Sequence, residues 1–177
     1  METRAMIFAI EAHASVNHTY DNKPYSIHLA MVVGFAKSYI DIIPEQCQED
    51  VLSACWLHDT IEDCRLTYND IISDFGEAVA EIIYAVTNDK GKNRKERAGN
   101  KYYDGIRRTP WATFVKLADR LANIKYSSET NSRMLEVYKK EHSSFIDCLL
   151  PLSTNKGQYI AMIEEMEFFL GISKVNQ

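Results

Sequence analysis

Apolar residues recur along most of this chain at intervals of three and four, the spacing of one helix face, and almost nowhere in the strict alternation of a half-buried strand. A first amphipathic segment runs from Thr3 to Ser15, and the polar stretch NHTYDNK after it holds too many turn formers to continue a helix. Pro24 suits the first turn of a second helix, PYSIHLAMVVGFAKSYI, which is apolar on almost every side and therefore expected to be central. Pro44 opens a third helix reaching Leu57. Thr67 is placed to cap TYNDIISDF with Asp70 at the capping-box position, and Gly76 marks the break before EAVAEIIYAVT. Beyond the polar NDKGKNRKER the pattern turns helical toward Arg108. Pro110 starts the long helix PWATFVKLADRLANIKYSS, and two more helices span about residues 132–150 and 155–170. The expected fold is all-α, a compact array of about eight helices joined by short connections.

Length supports one domain over residues 1–177, because 177 residues that are 46% hydrophobic suffice for one well-buried core and are few for two. No run is long and apolar enough to span a bilayer, and the N-terminus lacks the basic start and cleavage site of a secretory signal. A soluble, cytoplasmic protein without membrane partners is expected. The four cysteines, Cys47, Cys55, Cys64 and Cys148, include no CxxC pair and read as free thiols.

Candidate chemistry concentrates in WLHDTIED, Trp56 to Asp63, where His58-Asp59 and Glu62-Asp63 lie four residues apart. On a regular helix adjacent His58 and Asp59 diverge by about 100° and face different sides. They converge if the helix ends there, as β-branched Thr60 and Ile61 permit. One reading has His58 capping the helix C-terminus with Asp59 solvated; the other has both holding a cation that relieves the repulsion of a crowded acidic cluster. His28, in the most apolar helix, needs a hydrogen bond or a metal, and taken alone is read as a satisfied core histidine. Asp119 falls at the margin of the buried arc of its helix with Asn123 one turn on, a reasonable wall for a cleft; taken alone it is read as a salt bridge to Lys116 or Arg120.

A further signal is basic. Lys90, Lys92, Arg94, Lys95, Arg97, Lys101, Arg107 and Arg108 stand against Glu96 and Asp104 in a protein of net charge -5. The run is either a solvated face or the site of an anionic partner. With little aromatic interleaving, a small phosphorylated ligand fits better than a nucleic-acid polymer.

Taken in order, PYSIHLAMVV, LHDTIED, VTNDKGKNRKER and FVKLADRLANIK resemble the HD-domain hydrolases of the RelA/SpoT type in their short form, the small alarmone hydrolases. The similarity runs from about residue 13 to 145, with the last helices, residues 146–177, packing on that core. The resemblance implies that His28, His58, Asp59 and Asp119 hold one divalent ion, usually Mn2+ (manganese) in that family, and that Glu62 and Asp63 handle water. It places Asn123 and, by a looser match, Tyr138 in the nucleotide site, with Lys90, Arg94, Lys95 and Arg97 as candidates to offset phosphate charge. The implied reaction removes pyrophosphate from the ribose 3′ position of guanosine tetra- or pentaphosphate. With no further domain after the helical core, the chain is expected to degrade that nucleotide rather than make it.

The chain departs from the family where relatives carry a basic Arg-Lys pair before the PY dipeptide. Here NHTYDNKPY places Thr19 and Tyr20 near those positions, and His18, Tyr20 or Lys23 are the candidates to replace the pair by stacking or cation-π contact. Adenosine alarmones, the 2′-phosphate of NADPH and a nucleotide-sensing module without turnover therefore stand as alternatives, and homodimerisation is left open.

Overall fold

The computed structural model describes residues 1–88, 96, 99–151 and 156–172. Ten α-helices and one two-stranded hairpin make up these residues, against the eight or so helices expected. In chain order they are α1 (Glu2–Ser15), β1 (Thr19–Tyr20), β2 (Lys23–Pro24), α2 (Ser26–Ser38), α3 (Glu45–Leu57), the single turn α4 (Thr60–Asp63), α5 (Tyr68–Phe75), α6 (Glu77–Val86), α7 (Asn100–Arg108), α8 (Ala112–Glu129), α9 (Met134–Leu149) and α10 (Ile160–Leu170).

The central element is α8. Phe114, Leu117, Leu121 and Ile124 are fully buried, as are Val115 and Ala122 on its flank, so it is covered on nearly all sides. Helices α2, α3, α6, α9 and α10 all pack against it. The all-round apolar character expected of α2 belongs instead to α8. Helix α2 buries the stripe His28, Leu29, Val32, Val33 and Ala36, while Ile27 is 37% exposed. That stripe wedges α2 between α3 and α8, which brings three sequence-distant segments to one place.

Two proline-based boundaries are corrected. Pro24 does not enter a helix but closes a hairpin, with Thr19 paired to Pro24 and Tyr20 to Lys23. Asp21 and Asn22 take φ of 51° and 61°, the left-handed pair that a two-residue turn requires and that Asp and Asn tolerate. Pro110 also lies outside its helix: α8 begins at Ala112, after Trp111 adopts a left-handed φ of 65°, a conformation unfavourable for so bulky a side chain.

The capping box forms as expected, with the Thr67 hydroxyl accepting from the Asp70 amide and the Asp70 carboxylate accepting from the Thr67 amide. Replacing Thr67 with alanine is expected to cost about 1 kcal/mol, read as a shift of the urea midpoint without loss of metal binding. All four cysteines are free thiols. Among the described residues no helix is long and apolar enough to cross a membrane.

Candidate metal centre and active site

Helix α3 stops at Leu57. The Thr60 hydroxyl donates to the Leu57 carbonyl at 2.6 Å and Asp59 takes φ −100°, ψ 0°, so the backbone turns between the two halves of the HD pair. The turn brings Asp59 Oδ2 to 2.9 Å from His58 Nε2, the convergence that an unbroken helix forbids. His58 Nδ1 lies 3.0 Å from the Cys55 carbonyl, an acceptor that holds a proton on Nδ1 and turns Nε2 inward. The helix-capping contact and the ligand geometry are thus compatible, one for each ring nitrogen.

From α2, His28 brings Nε2 to 3.4 Å from His58 Nε2 and 3.8 Å from Asp59 Oδ2. From α8, Asp119 Oδ1 stands 3.4 Å from His28 Nε2 and 3.9 Å from His58 Nε2. One donor atom each from His28, His58 and Asp119 lies within 4.8 Å of the others, and Asp59 adjoins the group. The salt bridge considered for Asp119 is also present: its Oδ2 accepts from Lys116 Nζ at 3.0 Å, leaving Oδ1 for the cluster. Two buried imidazole nitrogens facing two carboxylates form a mixed donor set well suited to a divalent cation. The side chains present therefore fit such an ion.

Asp63 and Glu62 follow on α4 at the edge of the cluster. The Asn88 backbone amide and side chain both donate to Glu62, at 3.1 Å and at 3.0 and 3.2 Å. Burial, then the nearby carboxylates of Asp59 and Glu62, push the Asp63 carboxyl up to about 7, where it can exchange a proton near neutrality. Both acids open onto a cavity of about 980 Å³, within the range of small-molecule sites. Lys116, Arg120 and Asn123 of α8 line one side, and Tyr103, Tyr138 and Phe145 another. The Arg120 guanidinium lies 4.2 Å from the Phe145 ring centroid and 4.8 Å from that of Tyr138, and pairs with Glu141 at 3.4 Å.

Of the sequence candidates, His28, His58, Asp59, Asp119, Glu62, Asp63, Asn123 and Tyr138 are gathered around this cavity and its metal cluster. Lys90, Arg94, Lys95 and Arg97 lie outside the described residues. Tyr20 and Lys23 stand on the hairpin, away from the cavity lining: Tyr20 donates to Asn123 and Lys23 to the Tyr126 hydroxyl.

The sequence reading missed Tyr25, whose hydroxyl donates to Asp59 Oδ2, and Asn88, which holds Glu62. It also treated Lys116 and Arg120 only as ion-pair partners. The one available signal was their place within the KLADR run, on helix positions that flank Asp119.

Behind the site, His13 is almost fully buried, and its Nδ1 lies 2.8 Å from His18 Nδ1. Burial lowers it from the ordinary 6.5 to about 4. Between those values the unfolded chain binds more protons than the folded one, so stability falls as pH drops through that window. The loss is expected to reach about 2 kcal/mol, allowing for partial solvent screening. Urea midpoints at pH 7 and pH 4.5 check this, with His13→Gln showing a smaller drop than the wild type.

Comparisons with known proteins bear on family and fold. Residues 5–144 match the family model described as HD domain. The guanosine-3′,5′-bis(diphosphate) 3′-pyrophosphohydrolase MESH1 of Danio rerio is 32% identical over 122 residues, 67% of this chain and 64% of that protein. The guanosine-3′,5′-bis(diphosphate) 3′-pyrophosphohydrolase of Aquifex aeolicus is 35% identical over 126 residues, covering 69% of this chain and 17% of the longer relative. The chain thus spans from under two thirds to under one fifth of the length of these relatives. A solved structure described as a metazoan ortholog of SpoT superposes with a TM-score of 0.68 over 95% of this chain and 96% of that one, at 22% identity, and shares the fold. The helical array, the HD turn and the family match over residues 5–144 together make this chain a member of the HD-domain family.

Proposed function

We propose that the protein is a divalent-metal-dependent phosphohydrolase that removes pyrophosphate from the 3′ position of guanosine tetra- or pentaphosphate, leaving GDP or GTP. The observation that carries this reading is the convergence of His28, His58, Asp59 and Asp119 beside the Glu62-Asp63 pair, at the mouth of a cavity that also presents Lys116 and Arg120. The curated relatives named above as 3′-pyrophosphohydrolases support the choice of substrate.

His28, His58, Asp59 and Asp119 are the ligand set in this reading. Its mixture of imidazole and carboxylate suits a borderline-to-hard divalent cation such as Mn2+. Such an ion supplies Lewis acidity, lowering the pKa of water and polarising a phosphoryl oxygen. Asp63 takes the proton of the attacking water, and Glu62, held by Asn88, orients that water. The water oxygen bonds to the phosphorus attached to the ribose O3′, the bond from that phosphorus to O3′ breaks to release pyrophosphate, and O3′ takes a proton from solvent while Asp63 returns the one it accepted. Lys116 and Arg120 offset charge developing on the phosphoryl oxygens. Lys90, Arg94, Lys95 and Arg97 retain the same role on sequence grounds. Tyr103, Tyr138 and Phe145 offer the base an aromatic wall.

A second reading keeps the chemistry and changes the nucleotide, to an adenosine alarmone or to the 2′-phosphate of NADPH. It is favoured by the hairpin, where Tyr20 and Lys23 point to α8 in place of the basic pair. Incubating Mn2+-loaded protein with guanosine and adenosine nucleotides phosphorylated at the 2′, 3′ or 5′ position, and measuring pyrophosphate and phosphate release, separates the two. Pyrophosphate from the guanosine 3′-pyrophosphates at the highest kcat/KM is expected. Turnover of no 3′-pyrophosphate would sink the first reading.

A further inference from the structure

We propose that Tyr20 is a positioning residue of the metal centre, locking Asp119 through Asn123 and holding the His28 ring by stacking. The inference rests on reading His28, His58, Asp59 and Asp119 as the ligand set. The Tyr20 hydroxyl donates to Asn123 Oδ1 at 2.9 Å. That bond decides which way the Asn123 amide faces, because an oxygen already accepting from Tyr20 leaves the NH2 group to point at Asp119. Asn123 Nδ2 duly donates to Asp119 Oδ1 at 2.6 Å and to the Asp119 carbonyl at 3.0 Å. Oδ1 is the oxygen that faces His28 and His58, while Oδ2 is held by Lys116. Both oxygens of this ligand are therefore oriented from outside, one from each side.

The two histidines are held by different means. A metal-binding imidazole ordinarily donates its second ring nitrogen to a fixed acceptor, which sets the plane of the ring. His58 does so toward the Cys55 carbonyl, whereas the buried His28 Nδ1 has no hydrogen-bond partner among the described residues. What holds His28 instead is the Tyr20 ring, stacked on it with centroids 4.9 Å apart and planes 21° from parallel. One residue thus supplies the orienting contact that His28 lacks and the hydrogen bond that orients Asp119.

The hairpin is secured so that Tyr20 stays in place. The Tyr126 hydroxyl donates to Asp21 Oδ2 at 2.8 Å and accepts from Lys23 Nζ at 3.2 Å, and the Tyr126 ring meets Tyr20 edge-on at 4.8 Å. Residues 20, 21 and 23 thereby grip α8 at positions 123 and 126, about one and two turns beyond Asp119. With its hydroxyl on Asn123 and one ring face on His28, Tyr20 is committed to the ligands rather than to a nucleotide base.

Mn2+ titration followed by the electron paramagnetic resonance signal of the free ion tests this. It is run on wild type, His28→Ala, Tyr20→Phe, Asn123→Ala and the Tyr20→Phe/Asn123→Ala double variant. Tyr20→Phe keeps the ring and removes the hydroxyl, and is expected to weaken Mn2+ binding by about tenfold, the lower end for loss of a group that orients a ligand. In the Asn123→Ala background it is expected to add nothing, because the chain it acts through is already cut. Unchanged Mn2+ affinity in Tyr20→Phe, fully additive effects of the two substitutions, or a raised nucleotide KM with unaltered Mn2+ affinity would each overturn the proposal. Equal Mn2+ binding by wild type and His28→Ala would instead overturn the ligand set itself.

Discussion

Replacing His58 with alanine is expected to weaken divalent-ion binding by more than about 100-fold and to remove turnover at micromolar Mn2+, since loss of a group that merely orients a ligand already costs 10–100-fold. His58 is the hub of the cluster, with Nε2 at 2.9 Å from Asp59, 3.4 Å from His28 and 3.9 Å from Asp119. The expectation is separable from unfolding. An ion at 100 times its dissociation constant stabilises the wild type by about 2.7 kcal/mol, so Mn2+ raises the melting temperature of the wild type and leaves that of the variant in place. The pH dependence has a defined sign. Burial pulls the His58 imidazolium down, but Asp59 and then Asp119 outweigh it and hold the group up at about 9. The metal-free protein therefore carries a proton there at neutral pH that the ion must displace, and Mn2+ affinity rises with pH up to about 9. Isothermal titration in two buffers of different ionisation enthalpy reads that proton directly.

The elements that build this centre differ in how openly the sequence declares them. The capping box at Thr67 and Asp70 is a local pattern with a local cause, and it forms as written. The break between His58 and Asp59 was legible only as an option that β-branched Thr60 and Ile61 permit; its cause in the structure, the Thr60 hydroxyl on the Leu57 carbonyl, was not read from the sequence. The place of Asp119 at the edge of a buried arc followed from helical projection, although projection alone could not separate an ion pair with Lys116 from a ligand; in the structure Oδ2 takes the ion pair while Oδ1 faces His28.

The hairpin was harder to read. Asp21 and Asn22 carry the turn signal, but strands of two residues give no alternation to detect, and Pro24 pointed to a helix start. Trp111 lay beyond reach for a different reason: local propensity argues against its left-handed backbone, which only the tertiary fold sustains. Tyr25 and Tyr20 were equally hidden as supports, because each acts on a residue that packing, rather than sequence spacing, places beside it. Tyr20 to Asn123 spans 103 positions and Tyr25 to Asp59 spans 34. Ligands announce themselves through residue type and order, whereas the groups that aim them depend on how α2, α3 and α8 approach one another.

Asp63→Asn is expected to lower kcat by 10²–10⁴-fold, the usual contribution of a positioned proton acceptor, with Mn2+ affinity within a few-fold of wild type. The substitution keeps the shape of the side chain and removes only its basicity, so a fall in kcat at constant metal occupancy isolates the proton-transfer role. The structure supplies the reason this acid suits the task better than Asp59 or Asp119. Burial raises all three, but His58 pulls Asp59 back down and Lys116 does the same for Asp119, well below the carboxylate range. Those two remain anions over the working pH range and are fit to hold a cation. Among the described residues Asp63 has no such partner at close range: His18 Nδ1 is 3.7 Å away, and burial lowers that imidazole's own proton affinity. It therefore keeps the raised value near 7. Because the acceptor works only when ionised, kcat/KM of the wild type climbs with pH and levels off once Asp63 has lost its proton. A bound cation moves that limb toward lower pH by favouring the carboxylate. In Asp63→Asn the limb is expected to vanish while the residual rate stays flat. A variant that retained the same acidic limb would move the proton-accepting role to Glu62, whose two hydrogen-bonded partners on Asn88 otherwise mark it as the group that holds water in line.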